Sequence, residues 1–462
     1  MALADDRLQE HGEAAASTPV EREFAQAIAK HRNGDLEAAQ RAYGRVLGLD
    51  PHHRDALNNL GVVLRAAGKN RAALAAYERV LALRPDDPGL LTSIGNALRA
   101  LGRQDEALAI LHRAVGLAPK APAVHHNLGL VLSDLAHYDE ALACFDRSLA
   151  LWPNNTRVKL DRAHTLLAQG DYRAGFRALE ARFEPDGPNR DGGPPVWTGE
   201  SLKDRTLLIE AEQNVGETLQ FIRFAGQLRA RAGRVVVSCP PALCRLLGAA
   251  DGVDQAVPYS GEPSRVDYWV PLISLPQVLG TTRETLPAKL PYLLASSDAG
   301  FTLTHPETAK LAVGIAWTET PETQGEGFQA AGLEHFFPLL ARSDIAIYGL
   351  QTGVRAADAK DQGAHSLIHD LSPMLDSIDD LARVIDQLDL VITVNSAVAH
   401  LAGALGRPAW LVLPAVSDWR WALERERTPW YPTLRLFRQP SLNDWPGAFE
   451  AVARKLHALV AG

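Results

Sequence analysis

Two short stretches carry side chains whose types and spacing could do chemistry. The first is 210–217, EAEQNVGE, which follows an apolar run at 206–209. Gly216 allows a tight turn there, and Glu217 stands at the start of the next helix. A carboxylate at that place can cap the helix by accepting its free N–H groups. It can also serve as a general base, taking a proton from an attacking hydroxyl. The second is 389–408, DLVITVNSAVAHLAGALGRP. A strand over Leu390–Val394 is followed by a helix that Asn395 or Ser396 caps and that runs to about Leu405. The N–H groups at its start, around Ala397, form an anion site suited to a phosphate leaving group. Ser396 adds a hydroxyl. His400 lies one turn further on the same face, where a lone histidine can equally be structural.

Elements must position these groups. Short apolar runs at 206–209, 235–237, 268–270, 313–317, 345–350, Leu390–Val394 and Ala409–Leu413 read as buried parallel strands. Helices are predicted between them at 219–231, 333–341, 377–388 and 397–405. Strands alternating with helices imply open α/β sheets. The length suits two such units, 200–300 and 301–462, with a break near the polar stretch 296–307. In sheets of this kind ligands bind beyond the carboxyl ends of the strands, where both stretches lie. A connector at 184–199, rich in Pro and Gly, precedes them.

The part before the connector has a different order. Pro51, Pro85, Pro119 and Pro153 recur every 34 residues, the tetratricopeptide (TPR) period. Leu60, Ile94 and Leu128 recur in phase, as do Gly61, Gly95 and Gly129. Ala39, Ala73, Ala107 and Ala141 do the same, each followed four places on by Tyr43, Tyr77, Leu111 or Phe145. The small residues let two helices approach, the large ones fill the gap between them, and proline ends each second helix. The array covers 20–183 in about five units. The last, 156–182, is degenerate, with Gly170, Asp171 and Tyr172 in its turn, and reads as a cap. The fold class is thus an α-solenoid followed by two Rossmann-like units.

Stacked helix pairs form a groove lined by the first helix of each unit. Asn58, Asn59, Asn96, Asn127, Asp161 and His164 are expected to face it. Asn carries both donor and acceptor, so it can clamp the backbone of an extended segment. The plainer reading is a solvated helix face, although Asn is a poor helix former. The expected partner is another protein.

The formal net charge of −8 argues against a general nucleic-acid binder. Three cysteines, Cys144, Cys239 and Cys244, lack zinc-like spacing and point to a reducing compartment. Residues 1–13 are acidic, unlike a signal peptide, and no apolar stretch reaches the ~18 residues of a membrane span. The expected location is the cytoplasm.

The run from Asp389 through DWRW to TPWYPTLRLFRQ resembles the C-terminal part of bacterial tetratricopeptide-fused glycosyltransferase-like proteins. These are related to heptosyltransferases and, more distantly, to the O-GlcNAc transferase type. AEQNVGETLQFIRFA resembles the first turn of the same catalytic domain. The resemblance covers most of 197–456. It implies a GT-B architecture, an active site between two Rossmann-like units, a nucleotide-sugar donor and no metal. It places Glu217 as the catalytic base. Gln213, Gly216, Asn395, Ser396, Ala397 and His400 would line the donor-phosphate turns. Trp317 and Gln351 would end strands beside the donor, and Trp419 and Arg420 of DWRW would meet its charge or base, unless Arg420 only pins its loop.

The sequence departs from that family at several points. Asn395 and Glu217 stand where the family has Asp, and Asn214 where it has Gly. Leu350-Gln351-Thr352-Gly353 lacks a lysine. The loop 318–329 carries no Lys or Arg. Fewer cations weaken a diphosphate site but suit a donor with one phosphate, such as a CMP-activated sugar. The layout also resembles that of bacterial flagellin glycosyltransferases, which implies a CMP-linked nonulosonic acid as donor and Ser or Thr as the acceptor. The reading is a protein O-glycosyltransferase acting on Ser or Thr of an acceptor such as flagellin. Its rivals are a non-catalytic TPR scaffold with a degenerate transferase domain, and a small-molecule or glycan glycosyltransferase.

Overall fold

The computed structural model describes residues 18–185, 187–188, 193–212, 214–261, 265–296, 302–318, 331–421 and 426–461. The chain folds as two compact units, one up to Thr165 and one from Leu166 onward.

The first unit is helical throughout. Its elements are α1 (Pro19–Arg32), α2 (Leu36–Leu49), α3 (Arg54–Ala66), α4 (Asn70–Leu81), α5 (Pro88–Ala100), α6 (Gln104–Leu117), α7 (Pro122–Asp134), α8 (Tyr138–Leu151) and the first part of α9 (Thr156–Gln169). Local chemistry sets the starts. Thr18 and Glu21 form a capping box at α1, Asp87 caps α5, and Pro88 and Pro122 take first-turn positions. The phased glycines do what their spacing predicts. A Cβ on Gly61 would lie 2.4 Å from Tyr77, on Gly95 2.6 Å from Leu111, and on Gly129 2.7 Å from Phe145.

A second phased series sits in the turn inside each helix pair. Gly34, Gly68, Gly102 and Gly170 all have φ between +72° and +97°. The same register holds Ala136, at φ +60°. A Cβ there strains the left-handed backbone by roughly 1 kcal/mol. Ala136→Gly is therefore expected to stabilise the repeat unit by about that amount, seen as a higher midpoint in urea unfolding followed by circular dichroism. A lower midpoint would show that the unfolded-state entropy of glycine dominates.

The second unit opens with the end of α9 and α10 (Tyr172–Leu179), then two sheets. The first has β1 (Leu202–Glu210), β2 (Ala232–Cys239), β3 (Gln255–Pro258) and β4 (Tyr268–Pro271) in the order β3-β2-β1-β4. The second has β5 (Leu311–Ala316), β6 (Ile345–Gly349), β7 (His369–Asp370), β8 (Leu390–Val394), β9 (Ala409–Leu413) and β10 (Leu434–Arg438), ordered β10-β9-β8-β5-β6-β7. Every named pair is parallel. The strand order reverses between β1 and β4, at one side of the first sheet, and between β5 and β8, at the centre of the second, and those points are the switch points of doubly wound folds. The strands β5, β8 and β9 are buried on both faces. Val313, Ile392 and Val412 pack with Trp445, Phe449 and Leu456 of α14 (Trp445–Ala461).

The structure differs from the sequence reading at the edges. β3, β7 and β10 are additional strands, short or alternating, with no continuous apolar run to announce them. The helix placed at 219–231 instead begins at α11 (Val215–Phe221) and tightens into a 3-10 segment, Ile222–Leu228. Asn214 caps it through Glu217 N–H at 3.1 Å. The end of the connector belongs to the first sheet: Trp197 is fully buried and its N–H donates to Trp269 at 2.7 Å. The break at 296–307 falls between β4 and β5, with 297–301 outside the described residues. No helix among the described residues is long and apolar enough to cross a membrane.

Candidate functional site

Glu217 occupies the third position of α11. One turn on, Gln220 is fully buried. Both point to the same partner, Arg420, in the loop after β9. The Arg420 Nη2 donates to Glu217 Oε1 at 2.7 Å, and its Nε donates to Gln220 Oε1 at 2.6 Å. Its Nη1 forks onto both oxygens of Asp418 at 2.9 and 3.0 Å. The guanidinium also lies 4.5 Å from the Trp419 ring. Arg420 is thus a fixed cation that joins a helix of the first sheet to a loop of the second. Its engagement with the protein matches the loop-pinning alternative. As a catalytic candidate, Glu217 has one oxygen committed to a charge-assisted bond.

Beyond β8, α12 (Ile378–Asp386) precedes the strand and α13 (Ala397–Ala404) follows it. The sequence offered Asn395 or Ser396 as the cap. Ser396 takes the cap position but makes no side-chain cap bond. Its hydroxyl lies 3.1 Å from that of Thr393, and Asn395 Oδ1 accepts from Trp421 Nε1 at 2.9 Å. The first-turn N–H groups at Ala397 are therefore uncapped by either side chain, which suits an anion.

α11 and α13 cross closely, and Gly216 makes that crossing possible. A Cβ on Gly216 would lie 2.9 Å from the His400 ring. The glycine thus works inside the helix rather than in the turn before it, as its sequence position had suggested. His400 is 7% exposed and its Nδ1 sits 2.9 Å from the Tyr431 hydroxyl. Its ring is also 5.3 Å from Trp421. Burial, with Arg420 and Arg223 nearby and Asp418 opposing, pushes its pKa down to about 3. A neutral, enclosed imidazole is a packing and positioning group here.

The remaining candidates divide. Gln351 Oε1 accepts from the N–H of Trp317 at 3.1 Å and of Thr318 at 3.2 Å, tying the ends of β5 and β6 together. Trp317 is buried, with Nε1 donating to Asp358 at 3.0 Å. Trp419 stacks edge-on with Phe176 and Trp430 in a buried aromatic cluster that includes Tyr172, so its ring is turned to packing. Gln213 and the loop 319–330 lie outside the described residues.

Sequence reasoning missed Gln220, Asp418, Arg223 and Tyr431. Arg223 is buried and clamps separate segments. Its Nη1 donates to Trp430 O at 2.6 Å, its Nε to Gln220 O at 2.9 Å and its Nη2 to Tyr292 Oη at 2.9 Å. The available signal was local: Gln220 follows Glu217 by three residues and Asp418 precedes Arg420 by two. Among the described residues no cluster of three or more His, Cys, Asp or Glu could hold a metal.

The groove residues sit on the first helices of their pairs, α3, α5, α7 and α9. Asn58, Asn59, Asn96 and Asn127 are half-buried and His164 is exposed. Several are already engaged within the array. Asn127 Nδ2 donates to Ala123 O at 2.8 Å. Asp161 lies 2.7 Å from His126 Nε2 and accepts from Arg157 Nε at 3.1 Å. Burial alone would raise the Asp161 pKa, but those two partners hold it below the usual carboxylate range. His126 belongs to the register of Asn58 and was not singled out by the sequence.

The chain matches the family described as tetratricopeptide repeat over residues 24–70, 63–122 and 126–190. It is 26% identical over 333 residues to Protein FlbA of Caulobacter vibrioides, covering 66% of this chain and 55% of that protein. The chain thus spans about half the length of the curated relative it matches. The repeats end by Arg182 and occupy less than half of the 462 residues, so this likeness extends into the α/β unit. Among solved structures it is similar to PilW, described as a widely conserved type IV pilus biogenesis factor. That match has 21% identity and a TM-score of 0.34, covering 37% of this chain and 80% of that one. A second is MamA of Desulfovibrio magneticus, at 18% identity and a TM-score of 0.34, covering 37% of this chain and all of that one. Period, helices and family match together show an N-terminal array of tetratricopeptide repeats, a type of surface that binds other proteins.

Proposed function

We propose that the α/β unit is a GT-B glycosyltransferase and that the repeats hold its protein acceptor. The observation that carries this reading is the crossing of α11 and α13. It brings a carboxylate, Glu217, and an uncapped helix start at Ala397 to the carboxyl ends of two doubly wound sheets. A nucleotide sugar lying across those ends would place its phosphate at the helix start, where N–H groups favour the charge that develops as the sugar–phosphate bond breaks. The acceptor hydroxyl oxygen bonds to the anomeric carbon while its proton passes to Glu217. The nucleotide leaves with its phosphate. The paucity of Lys and Arg in 318–329 favours a donor with one phosphate, such as a CMP-linked sugar acid. Ser or Thr of a flagellin is the proposed acceptor, and the cytoplasm the proposed site of action.

The engagement of Glu217 with Arg420 favours one second reading, a scaffold that keeps the transferase fold without catalysis. Incubating the full chain with flagellin and CMP-, UDP- or GDP-sugars and weighing the flagellin separates the two. The proposal expects a mass gain with one donor and a raised melting temperature with the matching nucleotide. Glu217→Gln should lower transfer roughly 10²–10⁴-fold while keeping the nucleotide shift. No mass gain and no shift with any nucleotide would favour the scaffold.

A further inference from the structure

The first sheet holds a chemical feature apart from this cleft chemistry. Cys239 ends β2 and is fully buried, and Cys244 opens the short helix Cys244–Gly248 with partial exposure. Their sulfurs lie 3.6 Å apart. The intervening Pro240 and Pro241 fold the chain back sharply, so two thiols five residues apart face each other. A disulfide needs a sulfur separation of about 2.05 Å with the two Cβ atoms near 3.8 Å. The sulfurs have about 1.5 Å to close. The third cysteine, Cys144, belongs to the repeat unit.

We propose that Cys239 and Cys244 form a reversible dithiol–disulfide couple at the carboxyl edge of the first sheet. Cys244 is the sulfur that oxidant reaches. Its thiol gives up its proton and attacks hydrogen peroxide, the O–O bond breaks, the released hydroxide takes up that proton as water, and a sulfenic acid results. Cys239 then attacks that sulfur. The S–O bond breaks, the Cys239 proton leaves with the hydroxide as a second water, and the S–S bond forms. Two thiols are oxidised by two electrons in all and one peroxide is reduced to two waters. Burial raises the Cys239 pKa, with the Cys244 sulfur adding to the effect. Cys239 is therefore the protonated, resolving partner rather than the first to react. In a reducing compartment such a bond is transient and reversed by thiol exchange.

The sequence simplifies the test. Arg234 and Arg245 flank both cysteines with no Lys or Arg between, so one tryptic peptide, 235–245, contains the whole couple. The native full chain is treated with one equivalent of hydrogen peroxide, quenched with iodoacetamide and digested without reductant. The expected result is a 235–245 peptide lighter than the dithiol form by about 2 Da, free of alkylation, and restored by dithiothreitol. Cys244→Ser should abolish that species, while Cys144→Ser should leave it intact. Doubly alkylated peptide, gains of about 16 or 32 Da on either sulfur, or a disulfide joining two chains would each overturn the proposal.

Discussion

Replacing Arg420 with methionine is expected to destabilise the second unit by about 3 kcal/mol. The substitution keeps most of the side-chain volume and removes the cation that Glu217, Asp418 and Gln220 share. Breaking a buried pair from one side typically costs 3–5 kcal/mol, because the surviving charge stays out of water. The lower end applies, since the Glu217 and Asp418 side chains keep 31% and 34% of their exposure and water screens them. Urea unfolding followed by tryptophan fluorescence reports this unit well, because every tryptophan except Trp152 lies in it. The double variant Arg420→Met/Glu217→Gln should regain part of the loss, giving a coupling energy between the two sites. A single-variant cost below about 0.5 kcal/mol would mean that the cluster is a surface ion pair in effect.

The second large effect is on pH. His400 titrates near 3 in the folded chain against an ordinary 6.5. Below 6.5 the unfolded chain binds a proton at this position that the folded chain refuses. The stability His400 supports is therefore complete above about 6.5 and lost as pH falls toward 3. The slope approaches 1.4 kcal/mol per unit, so about 2 kcal/mol disappears between pH 7 and pH 5. Tyr431, Arg420, Arg223 and Asp418 surround the ring. His400→Gln should flatten the loss between pH 7 and pH 5 by that amount in urea titrations. Equal slopes for both proteins would show that His400 takes up its proton without unfolding.

Much of the architecture was legible because it repeats or because it is buried. Pro51 to Pro153 and Gly61 to Gly129 mark their helices by period alone, since each unit meets the same packing problem. Runs such as Leu390–Val394 and Ala409–Leu413 are apolar on both faces and announce interior strands. β7 escaped because its two residues, His369 and Asp370, are exposed. β3 escaped because four residues give too little pattern. The site was legible only in its separate pieces. Glu217 and the α13 start are local signals, visible as strand-to-helix turns. The partnership of Glu217 with Arg420 spans 203 residues, and no spacing rule reports a contact formed only when two sheets dock. His400 shows the same limit: a helix position one turn from Ser396 could not reveal that Gly216, on another helix, would close over the ring.

The phased contacts between Gly61 and Tyr77, Gly95 and Leu111, and Gly129 and Phe145 have a consequence for how such a chain can change. Each closes its own helix pair in the same way, a glycine beneath a large side chain. A duplicated 34-residue unit would carry this closure of its helix pair with it, the glycine beneath its large side chain and the proline after. The array can therefore gain or lose length in whole steps, as a ruler does when a segment is added, without any new packing solution. Reach toward a partner is then a property that can vary while the α/β unit stays unaltered.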